Sequence, residues 1–205
     1  MAGILLVCSA NVCRSPLAEL TLREALEPLE GFRKLEVASA GIAAREAAGV
    51  CDDVVQLDAS VAWRERAQRH RSRPLDPDDV RAAELVLTAS REVRTAVVAA
   101  APERRRHVFT LLEAVWLGEG FVHDPGRRGG EALAAFQQHI DGLRGLRPAP
   151  SARRSRWFSR PAHAFDIEDG HVIGRSAHRA TLAASRHAAS ALAVLLVGAP
   201  ARAES

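Results

Sequence analysis

The stretch that most constrains the fold is "GILLVCSANVCRSPLAEL", residues 3–20. Its first part, "GILLVC" (3–8), is an unbroken apolar run of strand length. A strand with apolar residues on both faces of its pleat must be covered on both sides, which is the situation of a parallel sheet between layers of helices. A short loop follows, and then Ser15-Pro16 opens a helical pattern. Ser15 suits a helix N-cap and Pro16 the first helical position.

The rest of the chain repeats that alternation. "LEVASA" (35–40), ending at Gly41, "AELVLTAS" (83–90) and "RHVFTL" (106–111) read as further strands. Between them, Ala18, Leu22, Ala25 and Leu29 recur at helical spacing after Pro16, and "SREVRTAVVAAAP" has Ser90 as its cap and Pro102 as its stop. Strands alternating with helices predict an α/β fold with a parallel sheet. Beyond about residue 111 the pattern is mostly helical. Leu133, Phe136, Ile140 and Leu143 form one stripe, and Leu182, Ala189, Leu192 and Leu196 form another on a last helix from about Arg175 to Val197, ended by Gly198 and Pro200. "RPAPSARRSRWFSRPA" (147–162) has no period and reads as a loop. The expectation is a single domain over 1–205 with an insertion of helix and basic loop at about 114–162.

Composition excludes several classes. The net charge of +3 is far from the dense basic stripe of a nucleic-acid binder, so no nucleic-acid partner is expected. "MAGILLV" lacks the charged leader and cleavage site of a secretory signal, and the apolar run "AASALAVLLVGA" falls short of a bilayer span. These readings predict a cytoplasmic protein without a membrane partner. Its three cysteines, Cys8, Cys13 and Cys51, would then stay reduced.

Two of the three lie in the opening loop, and the loop has the layout of a phosphate site. A helix start offers unpaired N–H groups and partial positive charge. The amides of Ser9, Ala10, Asn11, Val12 and Cys13 can curl around one anion, and Arg14 adds a planar fork for two of its oxygens. Cys8 would sit at the bottom of that cradle, where the same field that holds an anion favours a thiolate and lowers its pKa. A thiolate there is a nucleophile aimed at phosphorus.

"VCSANVCRSP" resembles the signature of the low-molecular-weight protein tyrosine phosphatases, Cys-x-Gly-Asn-x-Cys-Arg-Ser, with Ala10 in place of glycine. "VASAG" (37–41), "HRSRPLDPDDVRAAELVLTASREVRTAVVAAAP" (70–102) and "HVFTLLE" (107–113) extend the resemblance, and the insertion is similar to that of longer actinobacterial relatives. The resemblance implies a three-layer α/β/α fold on a four-stranded parallel sheet ordered 2-1-3-4, with the phosphate loop after strand 1. It implies hydrolysis of a phosphomonoester on a phosphorylated protein or peptide through a phosphocysteine at Cys8, with phosphate or sulfate as loop ligands. Arg14 and the loop amides would hold the phosphoryl oxygens, Asn11 would prop the loop, and Ser15 would donate to the thiolate. Cys13 would be either a neighbour able to form a disulfide with Cys8 or a small packed residue. No cofactor or metal is implied. An arsenate reductase of the same fold is the runner-up, lacking a cysteine relay, and a weakly active phospho-binding member is the third reading.

The general acid is ambiguous. The resemblance implies an Asp-Pro aspartate on a loop before the final helix. "FVHDPG" keeps an intact Asp124-Pro125, but about 80 residues follow it. "FDIEDGH" (165–171) has Asp166 and Asp169 at the right spacing and one helix after it, with Gly170 replacing proline. Register favours Asp169, with Asp166 as a structural partner. Glycine in place of proline predicts a looser acid loop. The chain has no tyrosine to wall an aromatic slot; His171 either lines that slot or faces solvent. Arg153, Arg154 and Arg156 are expected to overhang the pocket and favour acidic peptides.

Overall fold

The computed structural model describes residues 3–151 and 163–198, so the basic loop carrying Arg153, Arg154 and Arg156 lies outside the described residues. Four strands, β1 (Gly3–Cys8), β2 (Glu36–Gly41), β3 (Leu85–Thr88) and β4 (Val108–Thr110), form one parallel sheet in the order β2-β1-β3-β4. Cys8 pairs with Gly41 and Val7 with Thr88, which brings the ends of three strands together at one edge. That is the edge where an open parallel sheet carries its ligand site.

Alternation along each strand divides the core. Ile4, Leu6, Leu85, Leu87 and Phe109 point to one face. They meet α1 (Arg14–Leu26), α6 (Leu111–Gly118), α7 (Gly130–Leu143) and α8 (Arg175–Val197). Leu5, Val7, Val86 and Val108 point to the other face, against Val80 of α4 (Pro77–Ala82) and Val93 and Val97 of α5 (Arg91–Ala100). A third cluster joins Leu17 and Leu20 of α1 and Leu182 of α8 to Val54 of α2 (Asp52–Val55) and Trp63 and Ala67 of α3 (Val61–Arg69).

The element ends differ from expectation for identifiable reasons. Strand β4 is three residues long, because 102–107 winds into a 3-10 turn and Thr110 starts a capping box with Glu113 that opens α6. Helix α1 begins at Arg14 with Cys13 as its N-cap, not at Ser15, whose hydroxyl is engaged elsewhere; Pro16 still falls in the first turn, where its missing N–H costs nothing. Ala25 and Leu29 face outward. The buried α1 residues are Leu17, Ala18, Leu20, Leu22 and Leu26, because this helix packs on the sheet along one side and on α3 and α8 along another. At 23 residues α8 is long and apolar enough to cross a bilayer, unlike the shorter run noted in the sequence. Its apolar face, with Leu182, Ala189, Leu192 and Leu196, is nonetheless buried against neighbouring helices.

Candidate active site

The loop between β1 and α1 wraps Cys8. The thiol is 2% exposed and receives two donors: Asn11 N–H at 3.2 Å and the Ser15 hydroxyl at 3.0 Å. An anionic sulfur is the acceptor such a pair suits. Ser15 is therefore not a helix cap but a sulfur ligand, and its sequence position is explained by that contact.

Asn11 holds the loop's shape. It is fully buried, and its φ of 54° lies in the left-handed region. Its amide donates to Ser15 Oγ at 3.0 Å and to Ser39 Oγ at 2.8 Å, while its Oδ1 accepts from Arg73 N–H at 3.0 Å. Ser39 in turn donates to Glu19 at 2.6 Å, and His70 Nε2 lies 3.1 Å from the Asn11 carbonyl. Ser39, Glu19, His70 and Arg73 were not singled out from sequence; "VASAG" and "HRSRP" were the available signals. Gly41 closes the back wall, since a Cβ there would stand 2.6 Å from Ser9 O and 2.9 Å from Asn11 N. Ala10, where the signature has glycine, is exposed and is not among the described non-glycine residues with positive φ, Asn11 and Ala47, so a methyl group is accommodated.

Arg14 and Asp169 meet across the cradle. The guanidinium is nearly buried and donates to Asp169 Oδ2 at 2.7 Å, to the Ile167 carbonyl at 3.1 Å and to Ser9 Oγ at 3.4 Å. Asp124 is elsewhere. Its exposed carboxylate accepts from Gly126 N–H at 2.9 Å and pairs with Arg127, as a turn residue does. Neighbouring Pro125 and His123 share a groove with Val197 and Gly198 at the end of α8. The Asp169 loop precedes the start of α8, and at ~1.5 Å per residue the two ends of that helix are some 30 Å apart.

The Asp169 loop is anchored, contrary to the looseness expected of glycine. Ile167 N–H donates to Ala89 O at 2.8 Å, and Asp166 accepts from Arg91 N–H at 2.8 Å. Gly170 is buried, and its own N–H donates to Thr181 Oγ1 at 3.0 Å, a bond proline could not make. A Cβ at 170 would stand 2.3 Å from the Ala177 carbonyl oxygen. The glycine is there because α8 presses on it.

Comparison with known proteins fits this geometry. Residues 3–146 match the family model described as low molecular weight phosphotyrosine protein phosphatase. The chain belongs to that family. It is 30% identical over 141 residues to the low molecular weight protein-tyrosine-phosphatase Etp of Escherichia coli, covering 69% of this chain and 86% of Etp. It is 31% identical over 143 residues to a protein-arginine-phosphatase of Bacillus subtilis, covering 70% of this chain and 90% of the relative. The YwlE arginine phosphatase structure from Geobacillus stearothermophilus superposes with a TM-score of 0.56 at 22% identity, covering 94% and 91% of the two chains, which speaks for the shared fold. The match to the family model ends before Asp169 and α8. In this phosphatase the Asp169 loop and α8 therefore meet Arg14 from beyond the matched segment.

The remaining thiols gather beside the loop. Cys51 N–H donates to Val12 O at 3.1 Å and so fixes residue 51 against the cradle's outer wall. Its Sγ lies 3.5 Å from His178 Nε2, and Cys13 Sγ lies 3.7 Å from His171 Nδ1. A hydrogen bond from the Cys13 thiol, against the cost of burial and aided by Val54 N–H and His178, pulls Cys51 down to about 6. The same pairing, with burial and the nearby negative charges, pushes Cys13 strongly upward. One proton thus serves two sulfurs. His171, expected either on the slot or in solvent, is exposed and edges toward this cluster, its ring 4.7 Å from that of His178. Cys51 had no functional reading in the sequence, because its partners lie far along the chain.

Proposed function

We propose that this phosphatase hydrolyses phosphotyrosine on proteins or peptides through a phosphocysteine at Cys8. The carrying observation is the 2.7 Å pairing of Arg14 with Asp169 above a thiol that already receives two donors. In the first step the Cys8 thiolate attacks phosphorus as the ester P–O bond breaks. Asp169, protonated, gives its proton to the leaving phenolate. Arg14 releases Asp169 and turns its fork to two equatorial oxygens, and the loop amides from Ser9 to Cys13 take the developing charge. In the second step the Asp169 carboxylate takes a proton from water, the oxygen attacks phosphorus, and the S–P bond breaks. The Ser15 hydroxyl stabilises the departing thiolate, and inorganic phosphate leaves.

The relatives' names divide between tyrosine and arginine as the phosphorylated residue. Ala10 and Val12 of the loop, and Ile42, whose N–H donates to Cys8 O, are apolar and at least partly exposed, which supports an aromatic ring more readily than a guanidinium in need of polar partners. A cytoplasmic location is in keeping with three free thiols.

The test is turnover of matched phosphotyrosyl, phosphoarginyl and phosphoseryl peptides, with arsenate reduction assayed alongside. The tyrosyl peptide should be preferred in kcat/KM by at least tenfold; an equal or reversed ratio against the arginyl peptide overturns the substrate, and arsenate turnover exceeding that of every phosphopeptide overturns the phosphatase mechanism. Cys8→Ser should abolish turnover while still binding tungstate or phosphate. Persistent turnover in that variant refutes the phosphocysteine.

A further inference from the structure

We propose that Cys13, Cys51 and His178 form a binding site for a thiophilic divalent cation of the zinc class, set against the outer wall of the phosphate loop. It is independent of the catalytic assignment, because Cys8, Arg14 and Asp169 take no part in it. One ligand atom from each of the three residues lies within 4.8 Å of the others. Tetrahedral zinc with Zn–S ~2.3 Å and Zn–N ~2.05 Å gives sulfur-to-nitrogen edges of about 3.6 Å. The Cys51–His178 separation of 3.5 Å is such an edge. The other donor separations also fall within 4.8 Å, so one cation can be shared by all three.

The scaffold is built, not incidental. Cys13 caps α1, and Cys51 precedes α2 and is tied to Val12 by its N–H. His178 stands in the first turn of α8, 4% exposed, with its Nδ1 unpartnered among the described residues. Its Nε2 edge is the one turned to the thiols, with the Asp53 carboxylate at 3.4 Å. His171 Nδ1 lies 3.7 Å from Cys13 Sγ, and a water would complete four-coordination.

Donor chemistry selects the ion. Two sulfurs and an imidazole favour zinc, cobalt or cuprous copper, and disfavour magnesium or calcium. Binding forms two metal–sulfur bonds and one metal–nitrogen bond, and the thiol protons pass to solvent. The cation would fasten the phosphate-loop wall, the start of α2 and the first turn of α8 to one another, so its first readout is stability.

The experiment uses the full chain, reduced and stripped by chelator, titrated with Co2+ and then Zn2+. The expected result is a 1:1 thiolate-to-cobalt charge-transfer band with tetrahedral d–d bands, abolished by zinc, and a raised Tm. Cys51→Ser and His178→Asn should each weaken zinc binding by more than the ~10–100-fold that loss of an outer-shell partner costs. Cys8→Ser should bind zinc as wild type does. Cys51 sits in a loop and is partly exposed, so Cys51→Ser decides the matter should the buried histidine variant fail to fold. Two results overturn the site: no cobalt band in the wild type at hundredfold excess, or a band that survives Cys51→Ser and disappears in Cys8→Ser.

Discussion

Replacing Asp169 with alanine separates the two aspartates that the sequence left in competition. The carboxylate lies 2.7 Å from Arg14, whereas Asp124 sits by the opposite end of α8 with turn partners, Gly126 and Arg127, among the described residues. Loss of a positioned general acid lowers kcat by ~10²–10⁴, or about 2.7–5.4 kcal/mol of barrier at 1.36 kcal/mol per decade. Stability should change far less. The Asp169 side chain is 47% exposed, so solvent screening limits its ion pair to ~1 kcal/mol or below. Arg14 keeps its bonds to the Ile167 carbonyl and Ser9. A chain of this size then shifts its Tm by at most about 2–4 °C. KM should hold or fall, because the guanidinium loses a competitor for phosphate. The assay is kcat and KM on aryl phosphates of graded leaving-group pKa, with Tm by calorimetry. The loss should steepen as the leaving group becomes more basic, since that group most needs the proton. A kcat within threefold of wild type for Asp169→Ala, with the loss appearing in Asp124→Ala, refutes the reasoning.

The other expectations concern the supports of the site. Asn11→Ala strips partners from Ser15, Ser39 and the Arg73 amide and puts alanine at a left-handed φ; together these cost ~3–5 kcal/mol, read as a Tm drop with a fall in kcat, and an unchanged Tm contradicts the strut role. Gly170→Ala forces a Cβ against the Ala177 carbonyl, so ~1–3 kcal/mol of stability and most of the activity should go; a silent substitution would show that α8 does not press on the loop. The Cys13–Cys51 pair gives a pH signature. With Cys51 held down to about 6 and Cys13 pushed up, the folded pair carries one proton where two unfolded thiols carry two below their ordinary range and none above it. The pair's stabilisation should therefore rise from pH 6 toward 9 and decline beyond, measured as the Tm difference between wild type and Cys51→Ser; a flat difference contradicts the shared proton.

What was legible in the sequence was whatever a short window carries. The β1 run needed no partner to be read, because apolar residues on both faces of a strand admit one environment. Cys8, Asn11, Arg14 and Ser15 were legible as a cradle because one loop holds them all. What was missed depends on distant contacts. Ser15 is a good cap by type, yet its hydroxyl serves Cys8, and the helix starts earlier. Gly170 looks like a loosened proline until Thr181 and Ala177 are seen behind it. Ala25 fits the helical spacing of α1 but faces out, since two packing partners rotate the buried stripe. Cys51 is mute alone and acquires a role only beside Cys13 and His178, from the two ends of the chain.

The separation of Asp169 from the matched segment has a physical explanation. Lengthening a connection is cheap, about 0.6 kcal/mol for each doubling of a flexible loop. Helix α7, within the matched segment, adds to the core, because Leu133, Phe136 and Ile140 are fully buried and each contributes ~1.5–3 kcal/mol by leaving water. Chain between β4 and Asp169 can therefore join the core without disturbing the cradle. Asp169 itself has no such freedom. Its loop must reach Ala89 beside β3, Arg91 at the start of α5, Arg14 on α1 and Thr181 on α8 at once. An Asp-Pro pair placed upstream satisfies none of these attachments. The reading of Asp169 as proton donor therefore rests on its position relative to the last helix, which packs on α1, and not on an Asp-Pro dipeptide.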